Sequence, residues 1–540
     1  MDHEYSEGDA SIMKWIYNSM MALAVMACLT GCKDDGAAPV TPEPEEPAVT
    51  AEELLADIPG VTILQTTKDA DGEEITVFNF EQPIDHTDAS AGTFQQYCVL
   101  HYKGPDHVTV LHTQGYSTKD PDKFRKLDLA KNLDANLIEV EHRYYKHSLI
   151  NFEEEVTDCT GDYWKVNTAA QSTADLHAIV TALKATNCFR GKWVSSGFSK
   201  NGMLTSFYAY YYPNEMDVYV PFCAPFCTSE EDPRVGEWVT RRSGMDNGQD
   251  TELRRQIWAA FYRMIRDEGL REEISAIDNL TRQKNNTVES SMNYVLNEFM
   301  RNLFFKFCYY NTDQWDDVIP LEESHHSAEI YYRFATLGGY EFEKKLNELR
   351  EVMGLELEEI DRDDDDYGSL MLDMEDGMIE DDEMRVASRR AAKTLKKDSL
   401  LQVIYPAHAA KELGHFVFDW TVLPDDYPEK DVKWLKKQYS IIPYNKKYQV
   451  VYDGGKLMNG FLDFVKNNRN KDKCKMLFIY GSNDPWTGAA IPDPAPDDPY
   501  VKKHIVPGGV HGDALNEPTK YPEAEKNWIV NTVKEMLAGS

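Results

Sequence analysis

The sequence predicts an α/β fold, a mostly parallel sheet wrapped in helices and broken by a helical insertion, and three observations carry that prediction. Short β-rich apolar runs alternate with helix-spaced segments up to about residue 230; the stretch from there to about residue 400 is charged and strand-poor; the alternation then returns. Strands and helices taking turns indicate βαβ units and parallel pairing. At 540 residues the chain exceeds one ordinary core, so two domains or one large decorated domain are expected. Hydrophobic residues at 42% and aromatics at 11% supply the apolar surface such an interior needs.

The elements follow in order. Met13 and Lys14 open a short charged region before the apolar run Met20 to Leu29, which is too short to span a bilayer and has secretory-signal proportions. The acidic residues Asp2, Glu4 and Glu7 are unusual before a signal core, so translation is expected to start at Met13. The run ends Leu29-Thr30-Gly31-Cys32, which resembles the lipobox of bacterial lipoproteins. That resemblance implies cleavage before Cys32, acylation of Cys32 and anchoring to the cell envelope. Lys33-Asp34-Asp35 resembles the acidic surface-export tag of some Gram-negative lipoproteins, which implies the outer-membrane surface. Residues 33–57, rich in Pro, Ala and Glu, cannot bury a core and read as a disordered tether.

Residues 58–230 form the first part of the main domain. Ile75 to Phe80, Tyr97 to Tyr102, Val108 to His112, Leu137 to Val140, Trp193 to Ser195 and Val218 to Phe222 read as strands. Pro121 to Leu133, Thr168 to Ala185 and Asn201 to Tyr212 have helical spacing between them. Residues 231–400 are the helical insertion, with Glu252 to Arg266 and Val288 to Phe307 as its clearest helices. The acidic run Asp361 to Asp366 fails calcium-loop spacing at Tyr367 and Gly368 and reads as a solvated loop. Residues 401–540 complete the main domain with the strands Met476 to Tyr480 and His504 to Val506 and a closing helix, Tyr521 to Leu537.

Charge excludes one class of partner. With 57 Lys plus Arg against 92 Asp plus Glu, the formal charge is −35, and no basic stripe is present to hold phosphates. The same balance disfavours an anionic membrane surface, leaving the lipid anchor as the one membrane contact. Seven cysteines follow Cys32, an odd number that permits up to three disulfides and one leftover thiol. Cys223 and Cys227 could form a zinc half-site, but no Cys/His pair of matching spacing completes it, so core cysteines or one local disulfide are expected and no metal or cofactor is called for.

Three separated residues carry the chemistry. Lys192 to Phe198 runs as a strand into a helix, with Gly197-Phe198-Ser199 at the turn, the context a nucleophile elbow requires. A serine hydroxyl needs a base to take its proton, and the base needs an orienting carboxylate. Asp484 lies just past the buried strand Met476 to Tyr480, and His511 lies on the Gly-rich loop after the next strand. Ser, acid, His, each after a strand, is the order of the α/β hydrolases, so the expectation is an α/β-hydrolase fold with a large helical cap inserted after the sixth strand. The oxyanion hole is expected from the N–H of Lys200 and from Gly115 or Tyr116 in the loop after the third strand. The elbow departs from G-x-S-x-G, since Asn201 stands where the second glycine would be.

Gln82-Pro83-Ile84-Asp85-His86, Glu141-His142-Arg143-Tyr144-Tyr145, Glu231-Asp232-Pro233-Arg234, the elbow with Lys200, and Asn483-Asp484-Pro485-Trp486 together resemble the secreted prolyl tri/tetrapeptidyl aminopeptidases. They are also similar to a cousin family, the Pro-X carboxypeptidases and dipeptidyl peptidases, whose elbow is Gly-x-Ser-Tyr-Gly-Gly; Lys200 favours the aminopeptidase branch. The resemblance implies peptide substrates with a free N-terminus, cleavage near that terminus and proline before the scissile bond. An exopeptidase must recognise an ammonium group, and Glu141 at the end of the fourth strand is one candidate carboxylate, with a structural ion network as the alternative. Trp486, beside the expected acid, is a candidate wall for a proline-sized pocket or a core residue. Two other readings remain: an esterase or lipase on this fold, and a catalytically inactive peptide-binding surface lipoprotein.

Overall fold

A computed structural model describes residues 50–124, 128–150, 155–156, 161–241, 251–282, 284–309, 328–336, 395–396, 404–442, 446, 449–468, 471–511 and 522–539. The signal segment with Cys32, most of the tether and the acidic run 361–366 lie outside them.

Nine strands make the central sheet: β1 (Val61–Lys68), β2 (Glu74–Pro83), β3 (Thr93–His101), β4 (Thr109–Thr113), β5 (Asn136–Val140), β6 (Trp193–Phe198), β7 (Val218–Phe222), β8 (Met476–Gly481) and β9 (Val501–Val506). Their order is β1-β2-β3-β5-β4-β6-β7-β8-β9. The first three pairings, β1 with β2, β2 with β3 and β3 with β5, are antiparallel, and all the others are parallel. Chain direction across the sheet reverses at β4, with β5 on one side and β6 on the other, and such a switch point opens a crevice at the strands' carboxyl ends.

Helices cover both faces, so the strands β4 to β8 are buried almost from end to end. In β8, Met476, Phe478 and Tyr480 point into one core with the helices α3 (Ala169–Ala185) and α4 (Lys200–Tyr211), while Leu477 and Ile479 point into the opposite core with the closing helix Glu523–Ala538. The first core also takes in α1 (Ala51–Ala56) through Leu54 and Leu55, and a short helix α2 (Asp128–Asn132) lies between β4 and β5. Thr50 caps α1 in a capping box with Glu53, so the chain is structured before residue 57 and the expected tether ends earlier than its composition suggested.

The strand count also needs correcting. The insertion does follow Val218–Phe222, but that strand is the seventh of the sheet, because β1 adds an edge strand whose Thr62, Leu64, Gln65 and Thr66 are exposed and leave no apolar alternation to read.

The insertion contributes the helices Arg234–Arg241, Thr251–Arg266, Glu268–Thr281, Val288–Tyr309 and Ala328–Thr336. They enclose a separate core around Trp238, Phe261, Phe299 and Phe304. Phe416, Phe418, Trp420, Leu423 and Leu435 join that core, so the insertion's packing runs past residue 400 and the main-domain packing resumes with the helix Gly454–Asn467. The short parallel pairing of Glu231–Asp232 with His415–Phe416 closes the base of the insertion.

The two motifs upstream of the elbow form one buried polar network. Arg143 donates two hydrogen bonds to Asp175 of α3, from Nε to Oδ2 (2.8 Å) and from Nη2 to Oδ1 (2.6 Å), and both side chains are fully buried. The same guanidinium donates from Nη1 to the carbonyls of Ile84 and Val166, and His86 Nε2 lies 2.7 Å from Asp175 Oδ1. Gln82 and Gln96 extend the network to the carbonyls of Asp175 and Glu141. Removing one partner of a fully buried pair strands the other charge. Asp175→Ala is therefore expected to cost about 3–5 kcal/mol in chemical denaturation, and a loss below about 1 kcal/mol would contradict this account.

Candidate active site

The serine sits where β6 turns into α4. Ser199 has φ 57 and ψ −122, a conformation that costs about 1–3 kcal/mol and persists only where surroundings enforce it. Its N–H donates to the Phe222 carbonyl (2.9 Å), tying the turn to β7. A Cβ at Gly202 would come within 2.7 Å of that same carbonyl, so Gly202 supplies the close helix–strand approach that the second elbow glycine usually gives.

Asp484 and His511 arrive on neighbouring loops after β8 and β9. A Cβ at Gly481 would lie 2.2 Å from the Gly509 carbonyl, so glycine is what lets the two loops touch. Asn483 N–H then donates to Gly509 O (2.9 Å) and Gly508 N–H to Ser482 Oγ (2.8 Å). Asp484 Oδ1 accepts the Trp486 N–H at 2.9 Å, which fixes the carboxylate with Oδ2 toward the imidazole.

The structure brings the three residues together. His511 Nδ1 lies 2.8 Å from Asp484 Oδ2, and His511 Nε2 lies 3.0 Å from Ser199 Oγ. Asp484 and His511 have no solvent exposure and Ser199 retains 7%, so the charge that develops on the imidazole would be screened little by water. The rings of Phe198 and Trp486 lie 4.7 and 5.9 Å from the imidazole. This arrangement can move a proton from the hydroxyl to Nε2 while the carboxylate holds the tautomer.

The remaining sequence-predicted residues divide. Glu141 is not presented to a ligand: its two Oε atoms accept from the N–H groups of Thr118, His147 and Ser148 and from the hydroxyls of Thr118 and Ser148, at 2.7–3.3 Å. Burial pushes its carboxyl up, against the pull of those N–H groups. It organises the loops after β4 and β5. Trp486 packs against Phe304 and Phe416 of the insertion at 5.3 and 5.0 Å, so it stands between that core and the imidazole. Glu231-Asp232-Pro233-Arg234 is likewise structural: Arg234 pairs with Asp232, and Glu231 Oε1 accepts from Ser440 and Ile441.

Cys223 and Cys227 form no disulfide, nor do Cys98, Cys188 and Cys474. Among the described residues the one group of three potential metal donors is Cys223 with Asp484 and His511, two of which already bond each other.

Behind the elbow lies a buried set that the sequence did not disclose. Lys200, His142 and His408 line a small cavity with Met203, Leu204 and Phe207, and burial disfavours their charged forms, holding all three pKa values well below their usual ranges. Glu412 accepts the Ala169 N–H at 2.6 Å, and burial pushes its carboxyl from 4.5 up to about 7. Folding therefore takes up a proton between those values, so this group's contribution to stability is present below about pH 4.5 and is lost as pH rises to about 7. The Tm of the wild type is expected to fall between about pH 5 and about pH 7.5 more than that of Glu412→Gln. Equal losses would show that Glu412 is ionised throughout.

The fold and the site define the α/β-hydrolase class: a strained serine at the strand–helix turn, with base and acid on the loops after the last two strands. Residues 44–308 match the PS-10 peptidase S37 family. The prolyl tri/tetrapeptidyl aminopeptidase of Streptomyces mobaraensis is 28% identical over 180 residues, 33% of this chain and 35% of that protein. The match thus spans about a third of the curated relative's length. Among solved structures, a proline iminopeptidase from Mycobacterium smegmatis aligns at TM-score 0.32 and 10% identity, over 85% of this chain and 99% of that one. An α/β fold family hydrolase from Bacillus anthracis str. Sterne aligns at TM-score 0.30 and 12% identity, over 88% and 100%. The fold assignment rests on the sheet topology above.

Proposed function

We propose that this chain is a serine aminopeptidase that releases tri- or tetrapeptides from the N-termini of peptides, with proline before the scissile bond, and that it is exported and anchored to the cell envelope through an acylated Cys32. The observation that carries the catalytic part is His511, bonded at 3.0 Å to Ser199 and at 2.8 Å to Asp484, in a chain that matches a peptidase family. The anchor rests on the lipobox-like Leu29 to Cys32, and the outer-membrane surface on Lys33-Asp34-Asp35. The preference for proline and the fragment length rest on the likeness to the Streptomyces mobaraensis aminopeptidase.

Ser199 Oγ attacks the carbonyl carbon of the scissile bond as Nε2 takes its proton. The Lys200 N–H and the loop after β4 stabilise the oxyanion. Collapse breaks the C–N bond, and the proton passes from Nε2 to the leaving amine. Water, deprotonated by the same nitrogen, then releases the N-terminal fragment from the acyl-enzyme and restores the serine. Trp486 walls the side of the pocket nearest the imidazole.

Mass spectrometry of products from a defined mixture of proline-containing peptides tests the specificity. Tri- or tetrapeptides ending in proline are expected, from free but not N-blocked substrates. Hydrolysis of short esters with intact peptides would support the esterase reading instead.

A further inference from the structure

We propose that the side chains of Lys200 and Asn201 are positioning residues that clamp the loop after β4, so that the Tyr116 N–H, and not that of Gly115, joins the Lys200 N–H in the oxyanion hole. The proposal rests on the serine-peptidase reading and adds to it a device for aiming the second donor.

The clamp is built from two departures in one elbow. Asn201 Oδ1 accepts the Gly115 N–H, which removes that donor from the site, while Nδ2 donates to Gln114 Oε1 at 2.9 Å. Lys200 Nζ reaches back over the same peptide and donates to the Gly115 carbonyl (2.6 Å) and to the Tyr145 hydroxyl (3.2 Å). The Gly115–Tyr116 peptide is trans, and in a planar trans unit the C=O and the following N–H point in opposite directions. Holding the carbonyl toward Nζ therefore turns the Tyr116 N–H to the other side. Neither the Tyr116 N–H nor the Lys200 N–H meets an acceptor among the described residues. These are the two donors left over.

Space enforces the same geometry. A Cβ at Gly115 would lie 2.8 Å from both Asn201 Oδ1 and Lys200 Cγ, so the loop touches the elbow only because it carries glycine there. The Lys200 amine is enclosed by the rings of Tyr116 and Tyr145, each at 4.9 Å, and Tyr405 at 5.7 Å, and it has no ion pair among the described residues. Burying an amine in that way is costly, and a neutral side chain would fill the same space. What the amine adds is the bond to one carbonyl.

The test compares Lys200→Met, Asn201→Ala and Asn201→Asp with the wild type on a prolyl-peptide substrate, with active sites titrated. Loss of an oxyanion donor costs about 10²–10³ in kcat, so Lys200→Met and Asn201→Ala are expected to lose about 10² or more per titrated site. KM should stay within about threefold, and the pH profile should keep its shape because the bonds of His511 are untouched. Asn201→Asp retains an acceptor for the Gly115 N–H and should keep kcat within about tenfold. A merely structural role would lower the titratable fraction and the Tm while leaving kcat per site unchanged, and that result would overturn the proposal. Crystals of Asn201→Ala, or of Asn201→Asp should the first fail to fold, read the peptide plane directly. A rotated Gly115–Tyr116 peptide in the alanine variant, or a wild-type plane in the aspartate variant, supports the clamp; a wild-type plane in the alanine variant or a rotated one in the aspartate variant overturns it. Ser199→Ala in the same assay tests the nucleophile separately, and the peptide plane decides the clamp whatever that control shows.

Discussion

Ser199→Ala is expected to lower kcat on an X-X-Pro chromogenic peptide by about 10⁶, with KM little changed. The size of the loss follows from what the serine does. Its hydroxyl lies 3.0 Å from the imidazole nitrogen that takes its proton, and alanine leaves that nitrogen with no hydroxyl to activate. Binding contacts and the oxyanion donors survive, so a residual rate of about 10³–10⁴ over the uncatalysed reaction remains. The fold should tolerate the change, because the bond from residue 199 to Phe222 is made by the backbone N–H. Steady-state kinetics with unchanged Tm checks both halves.

The second large effect is Asp484→Asn, expected to lower kcat by about 10⁴. The amide oxygen can still accept the Trp486 N–H that Asp484 Oδ1 takes at 2.9 Å, so the turn stays in place. The amide nitrogen then faces His511 Nδ1 and donates to it, which leaves the ring's hydrogen on Nε2. A ring in that tautomer cannot accept the serine proton. KM should move little, and the pH–rate profile should recover at high pH, where direct ionisation of the hydroxyl bypasses the base. A loss below about tenfold would mean that the carboxylate does not set the tautomer.

The contrast between what could and could not be read from the chain is physical. Ser199, Asp484 and His511 were legible because each follows a strand, the clearest being the apolar run Met476–Gly481, and strand ends converge on one edge in this topology. The edge strand Val61–Lys68 escaped because most of its side chains face solvent and carry no period-two pattern. For Glu141 the sequence leaves a ligand site and a structural network open, and the structure bears out the network. A carboxylate at a strand end resembles a ligand site until one sees that Thr118, His147 and Ser148, on two loops, supply its donors. Asp175 gave a weaker signal, a lone acid beside the apolar face formed by Leu176, Ile179, Val180 and Leu183, and its partners lie 32 and 89 residues away. The choice between Gly115 and Tyr116 could not be made from sequence, because peptide orientation depends on side chains about 86 residues later. The end of the insertion was misplaced since Phe416, Phe418 and Trp420 look like any apolar stretch until their partners Phe304 and Trp486 are known.

Covalent labelling with a fluorophosphonate, followed by peptide mapping, addresses the nucleophile itself. One adduct per chain, on the Ser199 hydroxyl and lost in His511→Ala, is the predicted result. A protein that cleaves prolyl peptides while Ser199 stays unmodified, or that carries its adduct on another residue, would contradict the account.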